Sequence, residues 1–229
     1  MQLNGNGKGA TYNNPQDRSK RPRNPPTRFS YDDGNFPGLR WAQSAGFGFS
    51  PNRAQPNTFQ AIILDTADSG GGIHSPFKEA AGTRLARAAL KQVYGMSAQQ
   101  VAQGPVLGSV SARAPAQNGS VTVTLRSAGG GVELHTDGKL GFEALPAEAH
   151  PYAAHWQNIP IVVHGKDSLT LGGVPANATR IRYLWYSNAC GLELFKCPVY
   201  TAVAPLKGGL SGEHGFLPLG PFLADIPSS

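Results

Sequence analysis

Two aspartates and one histidine lie close together in DTADSGGGIHSP, the stretch from Asp65 to Pro76. A histidine can take a proton from a hydroxyl nucleophile, and a carboxylate on its other ring nitrogen fixes the tautomer and stabilises the imidazolium. The three glycines allow a turn tight enough to bring His74 towards Asp65 or Asp68. These residue types indicate a general base with a carboxylate partner, although a lone loop histidine is more often simply solvated.

The segments on either side of this turn predict where it lies. The run NTFQAIIL, Asn57 to Leu64, is typical of a buried parallel strand, with Asp65 at its carboxyl end. After the turn, Ser75 followed by proline fits an N-cap, and apolar residues at helical spacing continue to Gly95, a C-terminal stop. Because ligands of open α/β sheets bind beyond the carboxyl ends of strands, this loop lies where a site would be built.

From about residue 104 the chain changes character. Short alternating runs stand between glycine and proline turns: SVTVTLRS, GVELHT, GFEAL, IPIVVHG, DSLTLGG and ATRIRYLWY. This pattern is typical of an antiparallel, β-sandwich-like domain. The shift in composition between Gly95 and Pro105 predicts the boundary between the two parts.

Composition agrees with a fold rich in turns. The 229 residues are 40% hydrophobic, which is enough for a core, and they include 29 glycines and 19 prolines with only 15% charged residues. These values exclude a helical bundle and favour short strands. No apolar run is long enough to cross a bilayer, and MQLNGNGKGA lacks the features of a signal peptide. We therefore expect no membrane partner and no signal peptide in this chain.

The net charge of +6 is unevenly distributed. Basic residues cluster in DRSKRPRNPPTR, from Asp17 to Arg28, inside a segment rich in asparagine and proline. Such a run can bind nucleic acid, but no aromatic residues alternate with the charges to stack on bases. We expect a solvated loop or disordered segment over residues 1–34, with no nucleic-acid partner.

The two cysteines, Cys190 and Cys197, are too far apart for the CxxC of redox and zinc motifs. A local disulfide would fit an exported protein, whereas two free thiols would fit a cytosolic one. The glycosylation sequons at Asn118 and Asn177 favour export and a glycoprotein, and we predict the disulfide in oxidised material. The histidines show no metal-ligand spacing, so no metal site is predicted.

Two blocks of sequence resemble one family. FPGLRWAQSAGFGFSPNRAQPNTFQAIILDTADSGGGIHSP with TRLARAALKQVYG, and later RIRYLWYSNACGLELFKCPVYTAV with LPLGPF, are similar to sialate O-acetylesterases, which are SGNH-type hydrolases. The resemblance runs from Asn35 to Phe222 in the family's order. It implies a partial, flavodoxin-like SGNH α/β domain over residues 35–100, followed by a β-sandwich-like domain over residues 104–229.

The resemblance also implies a chemistry. His74 matches the family's catalytic histidine, the general base of a Ser-His-Asp relay that removes O-acetyl groups from sialic acid or related sugars. Asp65 and Asp68 are rival candidates for its acidic partner, because this turn is shorter than in the family. Ser75 stands where proline usually follows the histidine, which is a departure in the local geometry and not in the assignment of His74. The implied enzyme uses no metal or cofactor, and its parent protein is secreted or lysosomal.

No stretch of the chain matches the family's serine nucleophile, which lies in a Gly-x-Ser turn near the start of the catalytic domain. The chain therefore resembles a C-terminal portion that is inactive alone, and an N-terminal portion or second chain would complete the sheet. Without such a neighbour the run from Asn57 to Leu64 is expected to expose apolar surface. The alternative is a non-catalytic domain that binds carbohydrate or a partner, with Trp185, Tyr183 and Tyr186 either in the core or stacking on sugar.

Overall fold

Two helices and ten short strands make up the part of the chain that this computed structural model describes, namely residues 36–67, 74–95, 103–111, 119–126, 130–147, 156–186, 190, 194–202 and 216–228. The helices are α1 (Phe36–Gln43) and α2 (Lys78–Gln92). The strands are β1 (Val106–Val110), β2 (Val121–Arg126), β3 (Val132–Leu134), β4 (Phe142–Pro146), β5 (Gln157–Ile159), β6 (Ile161–His164), β7 (Ser168–Leu171), β8 (Ala178–Tyr183), β9 (Val199–Thr201) and β10 (Phe222–Asp225). The loop predicted for residues 1–34 lies outside the described ranges.

The strands form antiparallel sheets. Two sheets have four strands each, in the orders β1-β2-β7-β6 and β10-β8-β4-β5, and β3 pairs with β9 in a two-stranded sheet. In β2, Val121, Val123 and Leu125 are buried while the residues between them are more exposed, as the alternating sequence predicts. The prediction of an antiparallel β region with few helices is confirmed for the described residues.

A single apolar core connects these sheets. Phe142 of β4 and Phe222 of β10 are each opposite Tyr183 of β8 in register, and the three rings pack together with centroids 4.6 to 6.0 Å apart. The same cluster contains the buried residues of β2 and β7, and it also contains Ile62 and Leu64 from the segment before the glycine turn. The N-terminal part of the described chain therefore shares its core with the β region.

The segment from Asn57 to Leu64 is not a strand, so that prediction is wrong. No described strand pairs with it, and a strand exists only through hydrogen bonds to a neighbour. The expected exposure is also wrong, because Ile62, Ile63 and Leu64 are 9%, 3% and 0% exposed. The side chains that were expected to need another chain are instead covered within this one, where Ile62 and Leu64 join the core of the β region.

Helix α2 begins later than the sequence predicts. It starts at Lys78 rather than at Pro76, because Ser75 Oγ accepts the Phe77 N–H at 3.0 Å in a turn that precedes the helix. At the other end Gly95 has φ +64°, as expected for a residue that ends a helix. The buried face consists of Ala80, Thr83, Arg84, Arg87 and Ala88. Two arginines on this face indicate that polar contacts hold the helix.

Helix α1 packs against the end of β8. Trp41 meets Trp185 edge to face, with centroids 5.7 Å apart, and the buried Arg40 guanidinium donates to the carbonyl oxygen of Tyr186. The chain then turns at Gly48, with φ +76°, where a Cβ atom would approach the Pro221 carbonyl oxygen to 2.6 Å. Glycine is required there because both the conformation and the space exclude a side chain.

Candidate active site

The loop that carries His74 leaves a buried segment and leads into α2. The chain turns at residues 63–66, where both the amide and the hydroxyl of Thr66 donate to the carbonyl oxygen of Ile63, at 3.3 and 2.8 Å. His74 is exposed, whereas Ser75 after it is buried. The imidazole is therefore accessible at the surface between two segments that are fixed in the fold.

Asp65 lies inside the protein, where it binds Arg84. The two side chains are 0% and 1% exposed, and Arg84 Nη1 and Nη2 donate to Asp65 Oδ1 and Oδ2 at 2.6 and 2.8 Å. Nη1 also donates to the carbonyl oxygen of Ile62 at 2.9 Å. This bidentate geometry is the strongest form of an arginine–carboxylate contact, and it connects α2 to the segment before the turn.

A tyrosine from the β region completes the surroundings of Asp65. The Tyr200 hydroxyl of β9 donates to Asp65 Oδ2 at 2.8 Å and accepts the Cys197 N–H at 3.1 Å. Burial alone would raise the pKa of Asp65, but the charge of Arg84 and hydrogen bonds from Arg84 and Tyr200 hold it below its ordinary value. Burial and the neighbouring carboxylate raise the pKa of Tyr200, so its hydroxyl stays protonated as a donor.

Two of the three predicted site residues, Asp65 and His74, are described, and their surroundings differ. Asp65 is engaged by Arg84 and Tyr200, and the structure has no hydrogen bond or ion pair between the two described residues Asp65 and His74. Asp68 lies outside the described residues, as does the glycine turn. The structure thus gives Asp65 other partners and leaves His74 accessible to solvent.

The predicted disulfide is present. Cys190 and Cys197 are bonded to each other, with Cα atoms 4.4 Å apart, and both are buried. Since the Cys197 amide donates to the Tyr200 hydroxyl, the disulfide lies next to the surroundings of Asp65.

The aromatic residues at the end of β8 lie in the core rather than on a sugar-binding surface. Tyr183, Trp185 and Tyr186 are 0%, 8% and 2% exposed. The Tyr186 hydroxyl donates to Asn158 Oδ1 at 3.2 Å. Rings buried to this extent cannot offer a face to a sugar, which favours the packing interpretation for all three.

A cleft opens beside the buried segment, on the side of Arg84. Its lining includes Gln60, Ile62 and Arg84 together with backbone near Gly104 and Pro218. Within the described residues, no group of three or more His, Cys, Asp or Glu side chains is arranged to hold a metal ion. None of the helices described is both long and apolar enough to cross a membrane.

Sequence reasoning missed Arg84 and Tyr200. A signal existed for Arg84, because an arginine on the apolar face of a helix requires a buried acceptor, and Asp65 is a nearby carboxylate in the sequence. No such signal existed for Tyr200, which lies 135 residues from Asp65 in a run of strand-forming residues.

Known proteins similar to this chain are acetylesterases. Sialate O-acetylesterase of Homo sapiens is 30% identical over 176 residues, which covers 75% of this chain and 32% of the human protein. Sialate O-acetylesterase of Mus musculus is 28% identical over 200 residues, covering 85% of this chain and 33% of the mouse protein. The chain thus spans about a third of the length of these relatives. No protein-family model matches it.

A solved structure gives a further comparison. The fold is similar to that of a carbohydrate acetylesterase from Xanthomonas citri, with a TM-score of 0.60 and 22% sequence identity, over 83% of this chain and 36% of that one. At this identity the likeness concerns the fold. The sequence matches confirm the resemblance predicted from the two quoted blocks.

Proposed function

We propose that this chain, a relative of the sialate O-acetylesterases, contributes the histidine loop of an esterase that removes O-acetyl groups from sialic acid or related sugars. The observation that carries the proposal is the position of His74, exposed on a loop between a buried segment and helix α2, in the region of sequence that resembles the family. A general base must reach its nucleophile and substrate, and an exposed imidazole with fixed flanks can do so.

In the proposed reaction His74 acts first as a base and then as an acid. It takes the proton of a serine hydroxyl as the serine attacks the acetyl carbonyl, and it then gives that proton to the departing sugar oxygen. Water hydrolyses the acetyl-serine by the same route, which releases acetate and restores the serine. No stretch of these 229 residues matches the family's serine motif, so in this proposal the serine comes from outside them.

Asp68 is the proposed carboxylate partner of His74. This proposal is supported because the other candidate, Asp65, is already bound. Both of its carboxylate oxygens accept hydrogen bonds from Arg84 or Tyr200. A carboxylate bound in this way has little capacity to orient an imidazole as well. We assign Asp65 to positioning of the loop.

The alternative function, carbohydrate binding by a non-catalytic β region, has less support. The three aromatic residues considered for sugar stacking are buried. The esterase interpretation is therefore preferred.

The disulfide supports an oxidising compartment for the parent protein. A bond between Cys190 and Cys197 persists in the secretory pathway or lysosome rather than in a reducing cytosol. Asn177, in the sequon Asn-Ala-Thr, is exposed in a turn, where a glycan would find room. We propose a secreted or lysosomal glycoprotein.

A chimera tests the function directly. Residues 60–92 of this chain replace the matching stretch of human sialate O-acetylesterase, and hydrolysis of O-acetylated sialic acid is measured. We expect the chimera to be active and His74→Gln to reduce kcat/KM by a factor on the order of 10⁴, as for loss of a general base. Lys91→Gln, an exposed change on α2, is the control and should leave the rate unchanged. A folded chimera whose activity survives His74→Gln would refute the role of His74.

The chain alone tests the origin of the serine. On p-nitrophenyl acetate we expect no turnover above background, because a relay without its nucleophile retains little activity. Turnover that His74→Ala abolishes would show that the nucleophile lies within these residues.

A further inference from the structure

Three buried side chains connect the two ends of the loop that carries His74. We infer that Asp65, Arg84 and Tyr200 form a staple that sets the position of His74, with Arg84 and Tyr200 as positioning residues. This inference rests on the proposed function, because it gives a role to residues around the proposed base.

One guanidinium group joins both ends of the loop. The incoming end is the buried segment that finishes at Asp65, and Arg84 binds it at two places, the Ile62 carbonyl oxygen at 2.9 Å and the Asp65 carboxylate at 2.6 and 2.8 Å. The outgoing end is α2, and Arg84 lies in its second turn. Arg84 therefore joins the two ends of the loop directly.

Tyr200 fixes the staple to the β region. Its hydroxyl donates to the second oxygen of Asp65, while its backbone belongs to β9, which is paired with β3. The ring stacks against His135 with centroids 4.3 Å apart. Because no described strand pairs with residues 57–64, this hydrogen bond connects the staple to the β region independently of any backbone ladder.

The backbone of the incoming end has little support of its own. No described strand pairs with residues 57–64, so no ladder of backbone hydrogen bonds fixes their position. Regions with few backbone hydrogen bonds open locally at low cost, whereas a catalytic group must be held within a fraction of an ångström. The side-chain hydrogen bonds of the staple fix the position of this segment where backbone hydrogen bonds do not.

The test measures His74 and the ends of its loop in the full chain, without any activity assay. The ring resonance of His74 is followed by NMR with labelled histidine and assigned by its loss in His74→Gln. In Tyr200→Phe we expect this resonance to shift and amide exchange at Thr66 to accelerate about tenfold, since local opening is easier. Tyr186→Phe is the matched control, because Tyr186 is equally buried but bonds Asn158 instead. It should change neither quantity.

A second variant tests the contacts that Arg84 makes. Arg84→Lys retains the charge but loses the bidentate contact with Asp65. It should therefore shift the His74 resonance and accelerate Thr66 amide exchange as Tyr200→Phe does. A purely structural contact would instead raise exchange across the whole fold and leave the His74 resonance in place. Unchanged His74 resonance and Thr66 exchange in folded Tyr200→Phe and Arg84→Lys would overturn the inference. Failure of the proposed function would appear separately, as chimera activity that survives His74→Gln.

Discussion

Two buried arginine–carboxylate pairs hold different regions of this molecule in different ways. Arg84 and Asp65 make a bidentate pair between segments that no sheet connects. Arg182 Nε donates to Glu143 Oε2 at 2.7 Å between β8 and β4, where the two residues are already opposite in register. The second oxygen of Glu143 has no hydrogen-bond partner among the described residues. The guanidinium of Arg182 lies 4.2 Å above the ring of Trp156.

The difference shows what each pair contributes. In the sheet the backbone ladder fixes both strands, so the ion pair adds to an arrangement that exists without it. Beside the His74 loop no described strand pairs with residues 57–64, so the ion pair and the apolar packing of Ile62 and Leu64 hold the arrangement. A buried pair therefore matters most where the backbone is least supported.

The largest expected effect is the loss of stability when Arg84 of the Arg84–Asp65 pair is replaced. Arg84→Met leaves Asp65 buried without its counter-ion, which should lower the free energy of unfolding by about 3–5 kcal/mol. Arg182 and Glu143 lie on strands that a backbone ladder holds together without the ion pair, so we expect a smaller loss from Arg182→Met. Urea denaturation of both variants measures the two losses. An equal or larger loss for Arg182→Met would contradict the ranking.

Removal of the disulfide tests how much the cross-link next to Tyr200 contributes to stability. Replacing Cys190 and Cys197 together by alanine should lower the free energy of unfolding by about 2–3 kcal/mol, because the cross-link restricts the unfolded chain over a short loop. Urea denaturation with and without reductant measures this. Reductant should destabilise the wild type and leave the double variant unaffected. Two thiols that react with a maleimide in unreduced, unfolded protein would refute the cross-link.

Acid pH should weaken the staple. Since the pKa of Asp65 is lowered in the folded protein, its contribution to stability is complete above the ordinary aspartate range, about 3.9, and is lost as pH falls through the lower folded value. The stability difference between wild type and Asp65→Asn should therefore narrow below about pH 4, by up to about 1.4 kcal/mol per pH unit. Urea midpoints at several pH values measure it. A difference that stays constant into acid would mean that Asp65 is not held as a charged group.

The smallest effect is expected at an exposed pair in the sheet. Arg180 and Asp225 join β8 and β10 at 2.8 Å, but their side chains are 50% and 79% exposed. Solvent screens such pairs, so Asp225→Asn should change the free energy of unfolding by less than about 1 kcal/mol, and less still at high salt. Thermal unfolding at low and high salt tests this. A large, salt-independent loss would show that the sheet depends on side-chain pairs after all.

The sequence predicts the local elements well. Alternating runs correctly predict β2 and β7, and apolar spacing with Gly95 predicts α2 to within a few residues of its start. The short spacing of Cys190 and Cys197 predicts their bond. All of these depend on neighbours close in the chain, where residue type and period decide the conformation.

The sequence is less informative where a residue's partner is distant. NTFQAIIL reads as a strand from composition alone, but a strand needs another strand beside it, and the described structure provides none. His74 is found from its residue type and from the family resemblance, whereas the choice between Asp65 and Asp68 stays open in the sequence because both aspartates are close enough to reach it.

By itself, then, the sequence determined the strands of the alternating runs, helix α2, the disulfide and the relation to sialate O-acetylesterases, since each follows from local pattern or from similarity of residues. Only the tertiary structure decided that Asp65 turns inward to Arg84 and Tyr200 rather than binding His74. Arg84 is 19 and Tyr200 is 135 residues away from Asp65. No local period encodes contacts of that range, which follow from packing α2 and β9 around one buried carboxylate that must be neutralised where water cannot reach it.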